Sequence, residues 1–192
     1  MKAERLQAIA DEVAAHLPCE FEICNEATNL VPGEGNPDAD VVLIGEAPGA
    51  SEDKQGRPFV GNAGRFLDRL LGEAGLERED VFITNVVKAR PPKNRAPWVK
   101  EARHYLPWLV AQLDVIEPRV VVPLGAQALV HFAPPEVKIT QAHGQAVERD
   151  GRIVFPMYHP AAALHATRHG NEDLMKTVHE DARRLGETLR SL

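Results

Sequence analysis

The sequence predicts an α/β fold: a single three-layer α/β/α domain over residues 1–192, built on a central, mostly parallel sheet of four strands. Two observations support this prediction. Short apolar runs, predicted as strands, alternate with longer amphipathic segments, and this alternation favours a parallel sheet with helices on both faces. The chain also has no internal repeat, low-complexity tract or linker, and its length suits one domain with a full core.

The first third of the chain is predicted to form a helix, a strand, a long loop and a second helix. The first helix starts at Met1, and its apolar face consists of Leu6, Ile9, Val13 and Leu17. An apolar run at 41–44 is the first buried strand. The second helix is capped by Asn62 and stopped by Gly75, and its apolar residues are Phe66, Leu67, Leu70 and Leu71.

The remaining elements continue the alternation. A second strand at 81–87 leads into a basic, proline-rich loop at 88–97, and Pro97 fits the first turn of a helix that runs to about Ile116. Beyond it, the sequence predicts a third strand at 120–124, a short helix at 125–132, two short strands near 138–148, a last strand at 153–158 and a closing helix at 171–190.

Composition limits the possible partners. The net charge of −6 argues against indiscriminate nucleic-acid binding, which depends on Lys and Arg. Residues 84–103 nevertheless carry six Lys and Arg against the single acid Glu101, a patch that suits brief contact with a few phosphates. On charge alone, a solvated surface loop is the simpler explanation. No apolar run reaches membrane-spanning length and no signal peptide is recognisable, so we expect a cytoplasmic protein without a membrane partner.

Polar side chains follow three of the predicted strands. Glu46 comes soon after the first strand, Asn85 lies near the end of the second, and His159 follows the last. The carboxyl ends of parallel strands meet at one edge of the sheet, where open α/β sheets bind their ligands. The loop after the first strand is also far longer than a strand-to-helix connection needs. We therefore expect a binding site at this edge.

Five short motifs, in order along the chain, carry a resemblance to a known family. They are G-E-A-P-G at 45–49, G-R-P-F-V-G at 56–61, I-T-N-V-V-K at 83–88, P-P-K-N-R-A-P at 91–97 and F-P-M-Y-H-P-A at 155–161. Together they resemble the uracil-DNA glycosylase superfamily and, within it, the iron–sulfur enzymes of family 4. The resemblance implies an enzyme that flips uracil out of single- or double-stranded DNA and hydrolyses its N-glycosidic bond, leaving an abasic site.

The resemblance assigns His159 and Asn85 to the flipped base. Uracil leaves with negative charge on O2, so a hydrogen-bond donor from His159 at that atom lowers the barrier. The carboxamide of Asn85 can accept from uracil N3–H and donate to O4, whereas cytosine presents the opposite pattern. Taken singly, a core histidine and an asparagine at a strand end would be the simpler interpretations; the surrounding motifs favour the functional ones.

Residues 46–59 include four side chains with implied roles around the same base. Phe59 is expected to stack on it, a contact worth about 1–3 kcal/mol. Ala47 stands where other uracil-DNA glycosylases carry a water-orienting aspartate. Glu46 is therefore expected to act in catalysis, either by aligning water and stabilising the oxocarbenium ion or through its backbone N–H to uracil O2. Glu52 is expected near C5, where it would exclude the methyl group of thymine.

The resemblance also implies contacts with DNA outside the base. Leu164 resembles the apolar wedge that fills the gap left by a flipped base. Lys88, Asn94 and Arg95, in or beside the basic loop, are expected near the substrate or its phosphates, although turn formation alone would also explain Asn94 and Arg95. We expect a monomer that associates with the nucleoid through its DNA substrate.

The cysteines depart from the family pattern. Family 4 holds a [4Fe–4S] cluster with four cysteines, but this chain has only Cys19 and Cys24, and Ala89 and Ala102 stand at the other two positions. Two thiolates cannot hold a cubane cluster in the family's manner. We therefore expect no cofactor and no metal site, and two buried or free thiols in preference to a disulfide.

Other functions remain open at this point. The same fold could act on another deaminated base, such as hypoxanthine or xanthine, or the chain could be a non-catalytic relative that binds damaged DNA. A nucleotide-binding α/β domain unrelated to repair lacks support, because no glycine-rich phosphate loop follows the first strand.

Overall fold

The computed structural model describes residues 1–17 and 19–192. Within them the strands are β1 (Glu34–Gly35), β2 (Val41–Gly45), β3 (Phe82–Asn85), β4 (Val120–Pro123), β5 (Val147–Arg149) and β6 (Arg152–Val154). The helices are α1 (Lys2–Ala14), α2 (Glu22–Asn25), α3 (Ala50–Gln55), α4 (Asn62–Ala74), α5 (Val99–Ile116), α6 (Ala126–Leu129), α7 (Ile139–Ala142), α8 (Pro160–Arg168) and α9 (Asp173–Arg190). Short 3₁₀ turns occupy Arg78–Asp80 and Pro92–Asn94.

The strands form one six-stranded sheet in the order β1-β3-β2-β4-β6-β5. The four inner strands are parallel to one another, which confirms the predicted central sheet of the α/β fold. The edge strands β1 and β5 are antiparallel to their neighbours. The sequence did not predict β1, because two residues, Glu and Gly, carry no apolar alternation.

Helices cover both faces of the sheet because its inner strands are apolar on both sides. In β2, Val42 and Ile44 belong to a first apolar cluster with side chains of α1 and α5. Val41 and Leu43 belong to a second apolar cluster with side chains of α4 and α9. This alternation explains why β2 is a continuous apolar run. No helix of the described residues is both long and apolar enough to cross a membrane.

Some elements differ from their predictions for local reasons. Helix α5 begins at Val99 and not at Pro97, because the carboxylate of Glu101 accepts from the backbone N–H of Trp98 at 2.7 Å and fixes the start there. At 138–148, α7 replaces one of the two predicted strands, since periodicity cannot separate helix from strand in so short a segment. Helix α3 lies within the predicted long loop, where its polar sequence gave no apolar signal.

Helix α4 follows this long loop, and its two ends can be compared with the predicted ones. Gly75 ends α4 in the left-handed conformation, with φ +78°, as predicted. Asn62 is the first helical residue and not the N-cap, which is Gly61. The segment between β2 and α4, which contains α3, lies at the carboxyl edge of the sheet.

Candidate active site

A cavity of about 170 Å³ lies at the carboxyl edge of the inner strands. Its walls come from the segment between β2 and α4, from the end of β3 and from the start of α8: Ala47, Gly49, Glu52, Phe59, Ala63, Asn85, His159 and Ala161. Its size suits one small heterocycle better than a large cofactor. The structure thus brings together the residues that the sequence assigned to the base, and we call this space the base cavity.

Asn85 contributes an orphan amide oxygen to the base cavity. It is the last residue of β3, is 1% exposed, and its Oδ1 has no hydrogen-bond partner among the described residues. Its backbone carbonyl accepts from the ammonium of Lys88 at 2.8 Å. Buried polar atoms are nearly always hydrogen-bonded, so an orphan acceptor in a cavity wall indicates a ligand that donates to it.

Gly45, the last residue of β2, leaves the space that Asn85 and Phe59 occupy. A Cβ at this position would overlap Asn85 Oδ1 and would lie 2.7 Å from Phe59 Cζ. The amide and the aromatic ring therefore depend on the absence of a side chain at Gly45.

Phe59 reaches the base cavity from a strained turn. Its φ of +49° lies in the left-handed region, which costs a bulky residue on the order of 1–3 kcal/mol unless its surroundings hold it. The guanidinium of Arg78 supplies such support by donating to the carbonyls of Pro58 at 2.6 Å and Phe59 at 3.2 Å. The ring of Phe59 faces that of His159, with centroids 5.6 Å apart and planes 27° from parallel.

His159 presents a neutral N–H donor. The residue is the N-cap of α8, and the backbone N–H of Ala161 donates to its Nδ1 at 3.1 Å. The proton of the neutral ring therefore lies on Nε2. Burial lowers the pKa of His159 to about 4, against a smaller raising effect from the charge of Glu52. The imidazole is consequently uncharged near pH 7 and offers Nε2–H to a partner.

The carboxylate of Glu52 is fixed in the cavity wall. Its Oε1 accepts from the backbone N–H groups of Val60 and Gly61, both at 2.9 Å. These two residues follow Phe59 directly, so the same contacts stabilise the turn that carries the aromatic ring. Glu52 therefore lies at the base cavity, where the sequence predicted it.

A second cavity of about 380 Å³ adjoins the first. The two share Ala47, Gly49, His159 and Ala161, and the second is also lined by Glu46, Pro48, Pro91, Asn94, Arg95 and Ala162. Glu46 is half-buried, and its burial raises the pKa of its carboxyl group. Glu46 thus lines the space beside the base cavity and not the base cavity itself.

Asn94 and Arg95 border this second cavity with their polar groups already engaged. The guanidinium of Arg95 donates to both oxygens of the buried Glu101, at 2.8 and 2.7 Å, and lies 3.9 Å from the ring centre of Trp98. The side-chain oxygen of Asn94 accepts from Arg90 at 2.8 Å. Both residues are in reach of a ligand in the second cavity, but the charge of Arg95 is largely neutralised.

One predicted DNA contact does not fit the structure, and a second differs in its surroundings. Lys88 is 0% exposed, and its ammonium donates to Thr84, Asn85 and Gln112 at 2.6–2.9 Å, so it cannot reach a phosphate. Its burial lowers the pKa of Lys88 to about 7. Leu164 is half-buried and packs against the second apolar cluster, which leaves Ala161 and Ala162 as the exposed side chains at the start of α8. Because part of its side chain stays accessible, the role of Leu164 as a wedge stays a prediction.

The cysteine prediction is also corrected. Cys19 and Cys24 form a disulfide and are not free thiols. Ala89 is fully buried and Ala102 packs against the first apolar cluster, so apolar contacts fill the other two positions of the family's cluster ligands. With two sulfurs bonded to each other and two methyl groups in place of thiolates, the residues do not fit a [4Fe–4S] cluster.

Sequence reasoning missed two residues that shape the base cavity. Arg78 lies in the 3₁₀ turn before β3, outside every motif, and only its contacts reveal its support of Phe59. Gly45 stands inside a quoted motif, but its role depends on the approach of β3, which no spacing rule gives.

The fold and the site together define a class of α/β protein with a small cavity at the carboxyl ends of its parallel strands. Residues 32–183 match the family model of the Uracil DNA glycosylase superfamily, and the chain belongs to this superfamily. It is similar to the Type-4 uracil-DNA glycosylase of Sulfurisphaera tokodaii, with 42% identity over 96% of this chain and 84% of the relative.

Two further relatives have comparable coverage. The Type-4 uracil-DNA glycosylase of Thermotoga maritima is 42% identical over 94% of this chain and 92% of its own length. The Type-5 uracil-DNA glycosylase of Thermus thermophilus is 34% identical over 81% of this chain and 80% of its own length. The similarity therefore spans the base cavity and the second cavity alike.

Proposed function

We propose that this chain is a monofunctional uracil-DNA glycosylase, which flips uracil out of DNA, hydrolyses its N-glycosidic bond and leaves an abasic site. The observation that carries the proposal is the meeting of three groups in one small cavity: the orphan amide oxygen of Asn85, the neutral N–H of His159 and the ring of Phe59. The names of the Type-4 relatives support the same activity.

Asn85 selects the base. Its Oδ1 accepts from uracil N3–H and its amide nitrogen donates to O4, so the orphan oxygen gains the partner it lacks. Cytosine would place an acceptor against Oδ1 and a donor against the amide nitrogen. An amide held in one orientation therefore rejects cytosine, because neither of its two hydrogen bonds can form. Phe59 stacks on the face of the bound base, and Glu52 lies where the methyl group of thymine would project.

His159 stabilises the leaving group. As the bond between C1′ and N1 breaks, its electron pair passes to the base, and negative charge develops on O2. The Nε2–H of His159 donates to O2 and lowers the energy of that charge while keeping its proton. An uncharged donor suits this position, because burying a charged imidazolium in the empty site would cost more free energy than burying the neutral ring.

Glu46 serves the sugar side of the reaction. It lines the second cavity, which adjoins the base cavity along His159 and Ala47. There it orients a water molecule for attack on C1′, accepts the water proton and stabilises the positive charge on the sugar. Burial raises the pKa of Glu46 and so brings its basicity closer to that of an effective general base.

DNA, single- or double-stranded, is the proposed partner. Asn94 and Arg95 border the second cavity and would contact the sugar–phosphate chain beside the flipped nucleotide, with Arg95 acting mainly as a hydrogen-bond donor. On this proposal the chain works as a single-domain monomer over residues 1–192, in the cytoplasm at the nucleoid. The reaction as written needs no [4Fe–4S] cluster or other cofactor.

Gly45→Ala is expected to abolish most of the activity while leaving the chain folded. The new Cβ would displace the side chains of Asn85 and Phe59, and displacements of this kind cost on the order of 10²-fold in rate. Single-turnover release of uracil from a labelled oligonucleotide measures the effect. Gly72→Ala in α4 is the matched control, because a Cβ there meets nothing within 4 Å. A Gly45→Ala variant as fast as Gly72→Ala would contradict the proposed roles of both displaced side chains.

The rate of uracil release should fall on the acid side as Glu46 becomes protonated. Because burial raises the pKa of Glu46, the midpoint of this fall is expected above the ordinary glutamate range, and the rate is fully present at pH values above it. His159 stays mostly neutral over this range, since its pKa is about 4. Rates measured from pH 4.5 to 8 should show this acid limb in the wild type and a flat profile in Glu46→Gln. The same limb in both proteins would exclude Glu46 as the base.

Assays on matched oligonucleotides separate the proposal from its alternatives. DNA that contains uracil, hypoxanthine or xanthine is incubated with the purified protein, and both free base and bound DNA are measured. Release of uracil well above the other two bases is expected. Preferential release of hypoxanthine or xanthine would favour the other substrates, and tight binding without release of any base would favour a damaged-DNA-binding protein.

A further inference from the structure

Three metal-binding side chains meet at a distance from the active site, between the end of α1 and the first half of α5. The imidazole nitrogens of His16 and His104 and the Sγ atom of Cys19 all lie within 4.8 Å of one another. The two Nε2 atoms are only 2.7 Å apart. Cys24 adds a fourth donor, because its Sγ is bonded to that of Cys19.

The setting of these side chains is aromatic and partly buried. The ring of Trp108 lies 4.7 Å from that of His16, and the ring of Phe21 lies 4.6 Å from that of His104. The hydroxyl of Tyr105 lies 3.1 Å from the Sγ of Cys24. Such surroundings fix the donors and restrict access of water, as the apolar shell of a structural metal site does.

The geometry of the two histidines already has one feature of a metal site. At 2.7 Å, one Nε2 atom must supply a lone pair to a proton carried by the other, so a single proton lies between two ring nitrogens. A metal ion bound by both nitrogens would take the place of that proton. Zinc is commonly held by two sulfurs and two imidazoles, with bond lengths of about 2.0–2.3 Å, which puts tetrahedral donors about 3.3–3.8 Å apart.

We propose that His16, Cys19, Cys24 and His104 form a structural zinc site when the disulfide is reduced. Reduction breaks the bond between the two sulfurs and takes two electrons and two protons from a dithiol, which is itself oxidised to a disulfide. Zinc then displaces both thiol protons, the proton between the histidines moves to the Nδ1 of the ring that carries it, and the ion binds two thiolates and two neutral imidazoles. The ion joins the segment after α1 to α5, the helix that follows the basic loop with Asn94 and Arg95.

A mononuclear ion fits this set better than an iron–sulfur centre. Iron–sulfur clusters spread their protein ligands around two or more iron atoms and their bridging sulfides. Here the nitrogens of His16 and His104 and the Sγ atom of Cys19 lie within 4.8 Å of one another, so small shifts would bring them around one ion. The sequence did not predict the site, because His104 is far from the other three ligands along the chain and only the packing of α1 against α5 brings it near.

Metal content of the full chain tests the inference. The protein is purified with a dithiol reductant and without chelator, and zinc, iron and acid-labile sulfide are measured per chain. About one zinc per chain is expected in the wild type, with at least about 10-fold weaker zinc affinity in Cys19→Ser and in His104→Ala. His165→Ala is the matched control, since His165 and His169 form an exposed pair with ring centroids 4.5 Å apart, and it should keep its zinc.

Cobalt titration of the metal-free, reduced wild type keeps the test independent of whether the variants fold. Tetrahedral cobalt bands together with a thiolate-to-cobalt charge-transfer band are expected at one equivalent, and both should be absent from the oxidised protein. Iron with matching sulfide, zinc content in the wild type no higher than in Cys19→Ser, or cobalt spectra without the thiolate band would each overturn the proposal.

Discussion

His159→Ala is expected to release uracil about 10²–10³-fold more slowly than the wild type, the usual effect of removing one donor to a developing oxyanion. The variant loses the imidazole N–H donor from the wall of the base cavity. The backbone N–H of Ala161, which donates to Nδ1 in the wild type, can form a hydrogen bond with water instead. Because the donor acts on charge that exists only in the transition state, the loss should fall on the rate of the chemical step and spare DNA binding. Single-turnover kinetics measures this rate directly.

His165→Ala serves as the control for that variant. It removes an exposed imidazole from the same helix, α8, and should leave both the rate and the thermal stability unchanged. If His159→Ala and His165→Ala released uracil equally fast, the assignment of His159 to the leaving group would be wrong.

Asn85→Asp is expected to remove most of the preference for uracil over cytosine. Burial at 1% exposure favours the protonated carboxyl group, which can carry its O–H on either oxygen and so can match cytosine N3 and its amino group as well as uracil N3–H and O4. An unmatched buried hydrogen bond costs about 1–3 kcal/mol, so the preference for uracil over cytosine should fall by on the order of 10²-fold. Parallel release assays on uracil- and cytosine-containing single strands measure the ratio.

Asn36→Asp is the matched control, because it makes the same substitution far from the base cavity. Asn36 lies near the amino end of β3, where its backbone N–H donates to the carbonyl of Val81, at the opposite edge of the sheet from Asn85. This variant should keep the wild-type preference for uracil. An Asn85→Asp protein that also kept it would show that another group reads the base.

The convergence of the site could be predicted from the sequence because it follows from strand direction alone. Glu46, Asn85 and His159 each end or follow an apolar run, and parallel strands bring such positions to one edge. The same reasoning gave β2, the helix stop at Gly75 and the four parallel strands. These features depend on local chemistry and on one topological rule.

The errors concern side chains whose environment is set by distant parts of the chain. Lys88 belongs to a basic stretch and was predicted to face DNA, but Gln112 from α5 and Thr84 from β3 surround its ammonium group. Charge and hydrophobicity along the sequence cannot tell which face of a loop or helix becomes buried.

A crystal structure of the protein with its product, uracil, tests the central claim most directly. We predict that the ring stacks on Phe59, that Asn85 Oδ1 accepts from N3–H, and that His159 Nε2 lies within hydrogen-bond distance of O2. Uracil bound elsewhere, or turned so that O2 faces away from His159, would contradict the account.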